Sequence, residues 1–300
     1  MTNTPASLGG VFRPARTSIS VHRFGYGAMQ LTGEMAYGPP ESRDEAIAVL
    51  REAVELGIDH IDTSDYYGPH IANEIIREAL HPYPDHLVIA TKVGSRREPD
   101  RSWPVALSKR ELVSAVHDNL TRLGLAAMKI VNLRVGGPFG PDPKQAIEEP
   151  LTVLTELKAK GLIEHIGLSN ISPSQYAEAR RITDIACVQN HYNLMHRGDD
   201  AFIDQLAADG VAYVPFFPLG GGYRPMTSPV LDEVAASAGA TPRQVALAWL
   251  LQRSPNMLVI AGTSSVKHLR DNVAAASLQL SPEAVAKLDA IPTPPAAGPR

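Results

Sequence analysis

Short apolar runs alternate with amphipathic stretches from residue 24 to residue 276, and this alternation constrains the fold more than any single motif. The apolar runs lie at 24–29, 57–62, 87–92, 129–134, 164–170, 186–192, 211–217 and 258–260. Between them apolar residues recur at helical spacing, as at Ala46, Val49, Leu50, Ala53, Val54 and Leu56. The spacing predicts helices over 42–56, 72–80, 108–123, 147–160, 173–182, 201–208, 230–238, 242–251 and 266–276, with a short one from 280. Ser42 and the Ser108/Glu111 pair read as N-caps, and Gly57 and Gly161 as stops. Strands separated by helices are parallel, because each connection is long enough to cross the sheet and return. About eight such units in roughly 270 residues fit an α/β fold of the (β/α)8 TIM barrel type. A doubly wound sheet is the competing topology, but no strand is followed by a G-x-G-x-x-G turn that opens a helix.

Alternating apolar residues and turn formers between Val11 and Val21 predict an N-terminal β-hairpin before the barrel, and the helices after the last strand are C-terminal additions. No linker-like composition interrupts 11–292, so a single domain is expected, with residues 1–10 and the Pro/Ala tail 293–300 loose. A hydrophobic content of 44% supplies a sizeable core, and a net charge of −4 argues against nucleic acid or an anionic membrane as partner. The first residues lack a basic region followed by an apolar core, and no apolar run approaches the ~20 residues that cross a bilayer. The single cysteine, Cys187, excludes an intrachain disulfide and fits a reducing compartment. These features point to a cytoplasmic protein, a monomer or a weakly associating homo-oligomer.

In a barrel, catalytic groups gather where strands end and loops begin. Asp62, Lys92, Arg134, Ser169-Asn170 and Gln189 each end an otherwise apolar run. Any one of them could simply mark a loop; together they predict a shared site. Asp62 opens the segment Asp62-Thr63-Ser64-Asp65-Tyr66-Tyr67-Gly68. Carboxylates and phenols at the end of a buried strand require partners, and Lys92 can be one. Asp62, Tyr67 and Lys92 are therefore expected to converge as a proton-transfer site. Tyr66 is the competing phenol and Asp65 the competing carboxylate.

These segments resemble the aldo-keto reductase superfamily over nearly the whole chain. Asp62-Thr63-Ser64 with Tyr67-Gly68 resembles its aspartate–tyrosine segment, and Thr91-Lys92 its lysine. Gly167-Leu168-Ser169-Asn170 and Gln189 resemble its carboxamide-holding residues. Gly262-Thr263-Ser264-Ser265 with Asn272 resembles its segment for the adenosine phosphate end of the cofactor. The resemblance implies an oxidoreductase that uses NADPH to reduce an aldehyde or ketone to an alcohol, releasing NADP+.

The chemistry follows from the residue types. Unperturbed tyrosine has a pKa of about 10, so it needs a nearby ammonium to donate a proton at neutral pH. Tyr67 is then the acid, Lys92 its tuner, and Asp62 the partner that fixes the lysine. Serine, asparagine and glutamine side chains match the donors and acceptor of a nicotinamide carboxamide, as Ser169, Asn170 and Gln189 would. Phe216 stands in the place of the family's ring-stacking aromatic, although composition alone reads it equally as a core residue. Pro218-Leu219-Gly220-Gly221-Gly222 offers backbone N–H groups to a pyrophosphate, or is a flexible loop. Ala28 and Met29, at the end of the first barrel strand, are expected beside the cofactor as well.

Gly262 and His268 stand where many relatives carry a lysine and an arginine for the 2′-phosphate, with Ser264, Ser265 and Arg270 close by. Hydroxyls and a cation suit a phosphate, so NADP(H) is expected over NAD(H). The second departure is Arg134, where most relatives have histidine. Arginine stays protonated, so it donates to a carbonyl or anionic oxygen but shuttles no proton. His70 is an alternative donor, and Arg134 could instead be a structural ion-pair partner. Met29, Gln30, Trp103, Phe139 and Tyr223 are expected around the barrel mouth. Segments 24–31 and 131–134 resemble bacterial pyridoxal reductases, which implies pyridoxal reduced to pyridoxine or the reverse. The alternative reading is a cofactor-binding regulatory subunit with feeble catalysis.

Overall fold

Hydroxyl side chains fix where the helices begin. The computed structural model describes residues 7–137, 140–222 and 226–293. In it Ser42, Ser108, Ser172, Thr241, Ser265 and Ser281 each accept a hydrogen bond from the backbone N–H three residues on. The helices are α1 (Arg43–Glu55), α2 (Ile71–Leu80), α3 (Lys109–Leu123), α4 (Glu148–Ala159), α5 (Pro173–Ala179), α6 (Asp200–Ala208), α7 (Pro229–Ser237), α8 (Pro242–Arg253), α9 (Val266–Ala274) and α10 (Pro282–Asp289). The strands are β1 (Val11–Phe12), β2 (Val21–His22), β3 (Phe24–Gly27), β4 (His60–Asp62), β5 (Val88–Val93), β6 (Met128–Arg134), β7 (Ile163–Ser169), β8 (Ile185–Gln189), β9 (Ala212–Tyr213) and β10 (Val259–Ile260).

Strands β1 and β2 form the expected antiparallel hairpin. The other eight pair in the order β10-β3-β4-β5-β6-β7-β8-β9, all parallel. A parallel bridge between Tyr213 and Met257 joins the outer strands. There Tyr213 N donates to Asn256 O at 2.9 Å and Leu258 N to Tyr213 O at 2.8 Å. The sheet therefore closes into the (β/α)8 barrel that the alternation predicts. Among the described residues no helix is long and apolar enough to cross a membrane.

Side-chain parity sorts each strand into an inner and an outer face. Val88, Ile130, Cys187, Ala212, Val214, Leu258 and Ile260 form the interior, together with Ile19 and Val21 of the hairpin region. The hairpin thus packs onto the barrel's floor, opposite the ends that carry Asp62, Lys92 and Arg134. Counting on by two from the floor residues leads from Val88 to Lys92 and from Cys187 to Gln189, so both polar ends point inward.

Some boundaries differ from the sequence reading. Residues 214–217 were expected to continue β9; beyond Tyr213 the pairing thins to Val214 N on Val188 O at 2.8 Å, Phe216 N on Asn190 O at 3.0 Å and one isolated parallel bridge between His191 and Phe216. Phe217 adopts φ of 55°, a left-handed backbone that no strand continues through. Residues 190–192 lie past the end of β8 at Gln189 and pair only through the Asn190 carbonyl and that bridge. Of the ten residues expected to be loose at the start, 1–6 lie outside the described residues, whereas 7–10 are tied down by backbone hydrogen bonds. Leu8 is 1% exposed and its carbonyl accepts Phe24 N at 3.0 Å. The tail from 294 also lies outside the described residues. Two short 3-10 turns, Ala28–Leu31 and Glu34–Ala36, were not anticipated.

Candidate active site

The register of β4 against β5 places Asp62 opposite Ala90, two residues before Lys92. Lys92 Nζ then reaches Asp62 Oδ1 at 2.5 Å and the Thr63 carbonyl at 2.9 Å, with the lysine side chain 2% and the aspartate 6% exposed. Asp62 Oδ2 accepts from Gln189 Nε2 at 2.7 Å. A buried ion pair survives desolvation only when its remaining lone pairs and protons are satisfied, and Thr63 and Gln189 meet that need. Behind these strands runs a second buried network. Thr63 Oγ1 donates to Asn73 Oδ1 at 2.9 Å, Asn73 Nδ2 to Asn119 Oδ1 at 2.9 Å, and Thr91 Oγ1 to the same Asn119 oxygen at 2.5 Å. It ties the ends of β4 and β5 to α2 and α3, which holds the ion pair in place.

Lys92 Nζ lies 5.0 Å from the centroid of the Tyr67 ring. Tyr66 stands edge-on to Tyr67 at 5.4 Å and to Trp103 at 5.3 Å. The two phenols are not equivalent. The Tyr66 hydroxyl is fully buried, and burial pushes its pKa above the ordinary value, with the charge of Arg134 opposing. Ser64 lies close enough to perturb it but outside hydrogen-bonding geometry, and donates instead to Lys92 O at 3.3 Å. Cys187, whose thiol donates to Asn132 Oδ1 at 3.2 Å, sits below Asp62, and burial pushes its thiol up to about 12.

These groups open onto a cavity of about 470 Å3 at the C-terminal mouth of the barrel. Its wall divides by strand of origin. The ends of β3 to β6 and the loops after them contribute Met29, Gln30, Met35, Tyr66, Tyr67, Arg97, Arg101, Trp103 and Arg134. The ends of β8 to β10 and the loops after them contribute Gln189, Phe216, Phe217, Leu219 and Gly262. Arg134 Nη2 donates to Gly137 O at 3.0 Å, and its guanidinium lies 5.9 Å from the Phe216 ring centroid. It ends β6 at the cavity, where the sequence placed it.

The second group of loops fits the cofactor expected for it. Ser169 Oγ, Asn170 Oδ1 and Gln189 Oε1 are buried and without a hydrogen-bond partner. Buried polar atoms are otherwise almost always paired, so three together mark a place for a polar group such as a carboxamide. The Asn170 amide is fixed by donation to Gly137 O, and Gln189 by Asp62. Phe216 stacks on His191 at 5.4 Å and 13°, and His191 on His196 at 4.0 Å and 10°. Gly27 and Gly262 face each other across β3 and β10. A Cβ on Gly27 would lie 2.7 Å from Ile260 O, and one on Gly262 would clash with Gly27 O, so side chains are excluded where the strands part. Tyr26 OH donates to Thr263 O at 2.6 Å, anchoring the segment that runs through Ser264 to the cap Ser265. Asn272 is buried in α9, whereas His268 is exposed in its first turn. Leu219 lines the cavity, and Gly220 and Gly221 turn beyond it with φ of 83° and 66°. Ala28 is buried within its 3-10 turn and does not reach the cavity wall.

Three expectations change. His70 caps α2 and bonds Asp65 Oδ2 at 2.8 Å through Nδ1, away from the cavity, so it does not replace Arg134. Asp65 is thereby taken up outside the ion pair. Arg270 bonds Glu52 Oε1 at 2.7 Å and joins α9 to α1, so it is already engaged. Phe139 and Tyr223 lie outside the described residues. Met35, Arg97, Arg101 and Phe217 line the cavity and were missed. The arginines Arg96, Arg97 and Arg101 clustered within six residues were the available signal.

A closed (β/α)8 barrel with an aspartate–lysine pair, a tyrosine ring beside the lysine and three buried, unpartnered side-chain oxygens at one mouth defines a class. The chain belongs to the aldo/keto reductase family, whose model matches residues 23–292. It is 62% identical over 273 residues to pyridoxine 4-dehydrogenase of Escherichia coli, covering 91% of this chain and 95% of that protein. An uncharacterized oxidoreductase of Schizosaccharomyces pombe is 37% identical over 90% of this chain and 86% of its own length. Among solved structures, a thermostable aldo-keto reductase in complex with epalrestat superimposes with a TM-score of 0.79 at 29% identity, over 93% of this chain and 98% of the other. An aldo/keto reductase from Klebsiella pneumoniae, solved with NADP and acetate, gives 0.74 at 25% identity over 92% and 93%.

Proposed function

We propose that this protein is an NADPH-dependent carbonyl reductase of the pyridoxine 4-dehydrogenase type, interconverting pyridoxal and pyridoxine. The observation that carries the proton chemistry is the Lys92–Asp62 pair at 2.5 Å beneath Tyr67. The substrate rests on the 62% identity to the E. coli enzyme, and the cofactor on that relationship and on the NADP named for the K. pneumoniae protein.

NADPH bound at this mouth would supply the hydride for the carbonyl carbon. Tyr67 donates the proton to the carbonyl oxygen, and the ammonium of Lys92 stabilises the phenolate that remains. Asp62 keeps Lys92 charged and oriented. Arg134 donates to an oxygen of the substrate and, being always protonated, takes no part in proton transfer. Ser169, Asn170 and Gln189 hold the carboxamide, and Phe216 covers one face of the nicotinamide. Met29, Leu219, Gly220 and Gly221 flank the pyrophosphate, with Ala28 supporting the turn beside them. Gly262, Thr263, Ser264, Ser265, His268 and Asn272 hold the adenosine phosphate end. We place the protein in the cytoplasm, as a monomer or a weakly associating homo-oligomer, with residues 11–292 forming a single domain.

The test is purified protein with NADPH and pyridoxal, followed by the loss of reduced-nicotinamide absorbance. Turnover of pyridoxal is the expected result. Tight NADPH binding without turnover over a broad aldehyde panel would instead favour a regulatory subunit.

A further inference from the structure

The turn that follows β7 is held by a side chain from the end of β8. Asn170, one residue past Ser169, adopts φ of 54°, a left-handed backbone that asparagine tolerates but does not prefer. Its amide nitrogen is committed to Gly137 O, which leaves the buried Oδ1 as an acceptor. Rotating this residue back to the extended region would carry Oδ1 away from Ser169 Oγ and Gln189 Oε1, the two acceptors grouped with it.

The constraint on that rotation comes from Asn190, which is buried. Its Oδ1 accepts Ile171 N at 3.1 Å and its Nδ2 donates to Ile171 O at 2.9 Å, so one amide pairs with both backbone groups of the residue after Asn170. The second Nδ2 hydrogen goes to Asp199 Oδ2 at 2.8 Å, and Tyr213 OH donates to the same oxygen at 2.9 Å. Asp199 stands at the N-cap position before α6, yet it makes no side-chain capping bond there. Its carboxylate is turned inward instead. Burial raises its pKa, and the bonds from Asn190 and Tyr213 oppose that rise. The backbone adds one more tie, Asn170 N on Gln189 O at 3.0 Å. Both Nδ2 hydrogens of Asn190 are thereby spent within the protein.

We propose that Asn190 is a positioning residue for the nicotinamide end of the cofactor. Anchored by Asp199 and Tyr213, it pins Ile171 and so keeps Asn170 in the left-handed turn that presents Oδ1 to the carboxamide. This rests on the reading of Ser169, Asn170 and Gln189 as the carboxamide site.

The test titrates NADPH and 2′,5′-ADP, which lacks nicotinamide, against the full chain and its variants. Asn170→Ala should weaken NADPH about threefold to tenfold, the worth of roughly one hydrogen bond, and leave 2′,5′-ADP nearly unchanged. Asn190→Ala should do the same, although it keeps every group proposed to touch the cofactor. Combining the two should cost no more than Asn170→Ala alone, because residues that act as one unit are not additive. Parental NADPH affinity in Asn190→Ala, losses that multiply in the double variant, or equal losses for the two ligands would overturn the positioning role. Should Asn190→Ala fail to fold, Asp199→Ala carries the test. NADPH affinity should then fall about twofold to threefold, and Asp199→Asn, which retains an oxygen for both donors, should recover it. Parental NADPH affinity in Asp199→Ala would overturn the positioning role as well. If Asn170→Ala itself leaves NADPH binding unaltered, the carboxamide reading falls first, and the role of Asn190 with it.

Discussion

Gln189 Nε2 donates to the Asp62 oxygen that Lys92 leaves unoccupied, at 2.7 Å. That contact settles which way the glutamine amide faces. Its nitrogen is committed to the carboxylate, so its oxygen remains as an acceptor at the end of β8. The Asp62–Lys92 ion pair and the proposed carboxamide site therefore share a side chain.

Gln189→Leu removes both functions of that amide. NADPH affinity should fall about fivefold to tenfold, the worth of roughly one buried hydrogen bond. Binding of 2′,5′-ADP, which lacks nicotinamide, should change little. Fluorescence titration with both ligands checks this, and equal losses for the two would place Gln189 outside the carboxamide site.

Tyr67→Phe deletes the proposed acid while keeping the ring. A positioned acid contributes about 10²- to 10⁴-fold, so aldehyde reduction should fall by that order with NADPH affinity nearly unchanged. Parental turnover by this variant would show that another group, Tyr66 included, delivers the proton.

Lys92→Met leaves Asp62 charged and buried without its cation. Breaking a buried pair on one side costs about 3–5 kcal/mol, so urea unfolding should show a loss of that size. Adding Asp62→Asn should recover part of the stability and none of the activity. Should the single variant unfold like the parent, the ion pair would not be the structural unit described.

Stability should decline in alkali, and the sign follows from Cys187. Its thiol is held neutral up to about 12 in the folded chain, against about 8.5 for an exposed thiol. Above that lower value the unfolded chain releases a proton that the folded chain retains. Unfolding is then favoured by up to ~1.4 kcal/mol per pH unit per group, until the folded thiol itself ionises. The buried hydroxyls of Tyr26 and Tyr213, both pushed up by burial, add to the decline at higher pH. Cys187→Ala should flatten the part of the curve below pH 10 in urea titrations, and an unaltered slope there would refute the assignment.

The sequence made the barrel readable because short, mostly apolar runs alternate regularly with stretches whose apolar residues recur at about 3.6. The Asp62–Lys92 pair was readable too, since buried charges at neighbouring strand ends have few alternatives. The Thr63–Asn73–Asn119–Thr91 network was not, because asparagine inside an amphipathic helix carries no sign of which buried partner it meets. The Gln189–Asp62 contact depends on the curvature that brings β8 across the mouth from β4.

The barrel's seam also sets an order of events during synthesis. The first strand of the ring, β3, finds its outer neighbour only in β10, some 230 residues later, and the Tyr213–Met257 bridge closes the other side of that strand. A nascent chain that has not yet delivered residue 260 carries its Asp62–Lys92 pair in an open, unclosed sheet. A premature stop between β5 and β10 therefore yields a chain with the Asp62–Lys92 pair and no enclosing ring, exposing two parallel strand edges to the pairing that ring closure prevents.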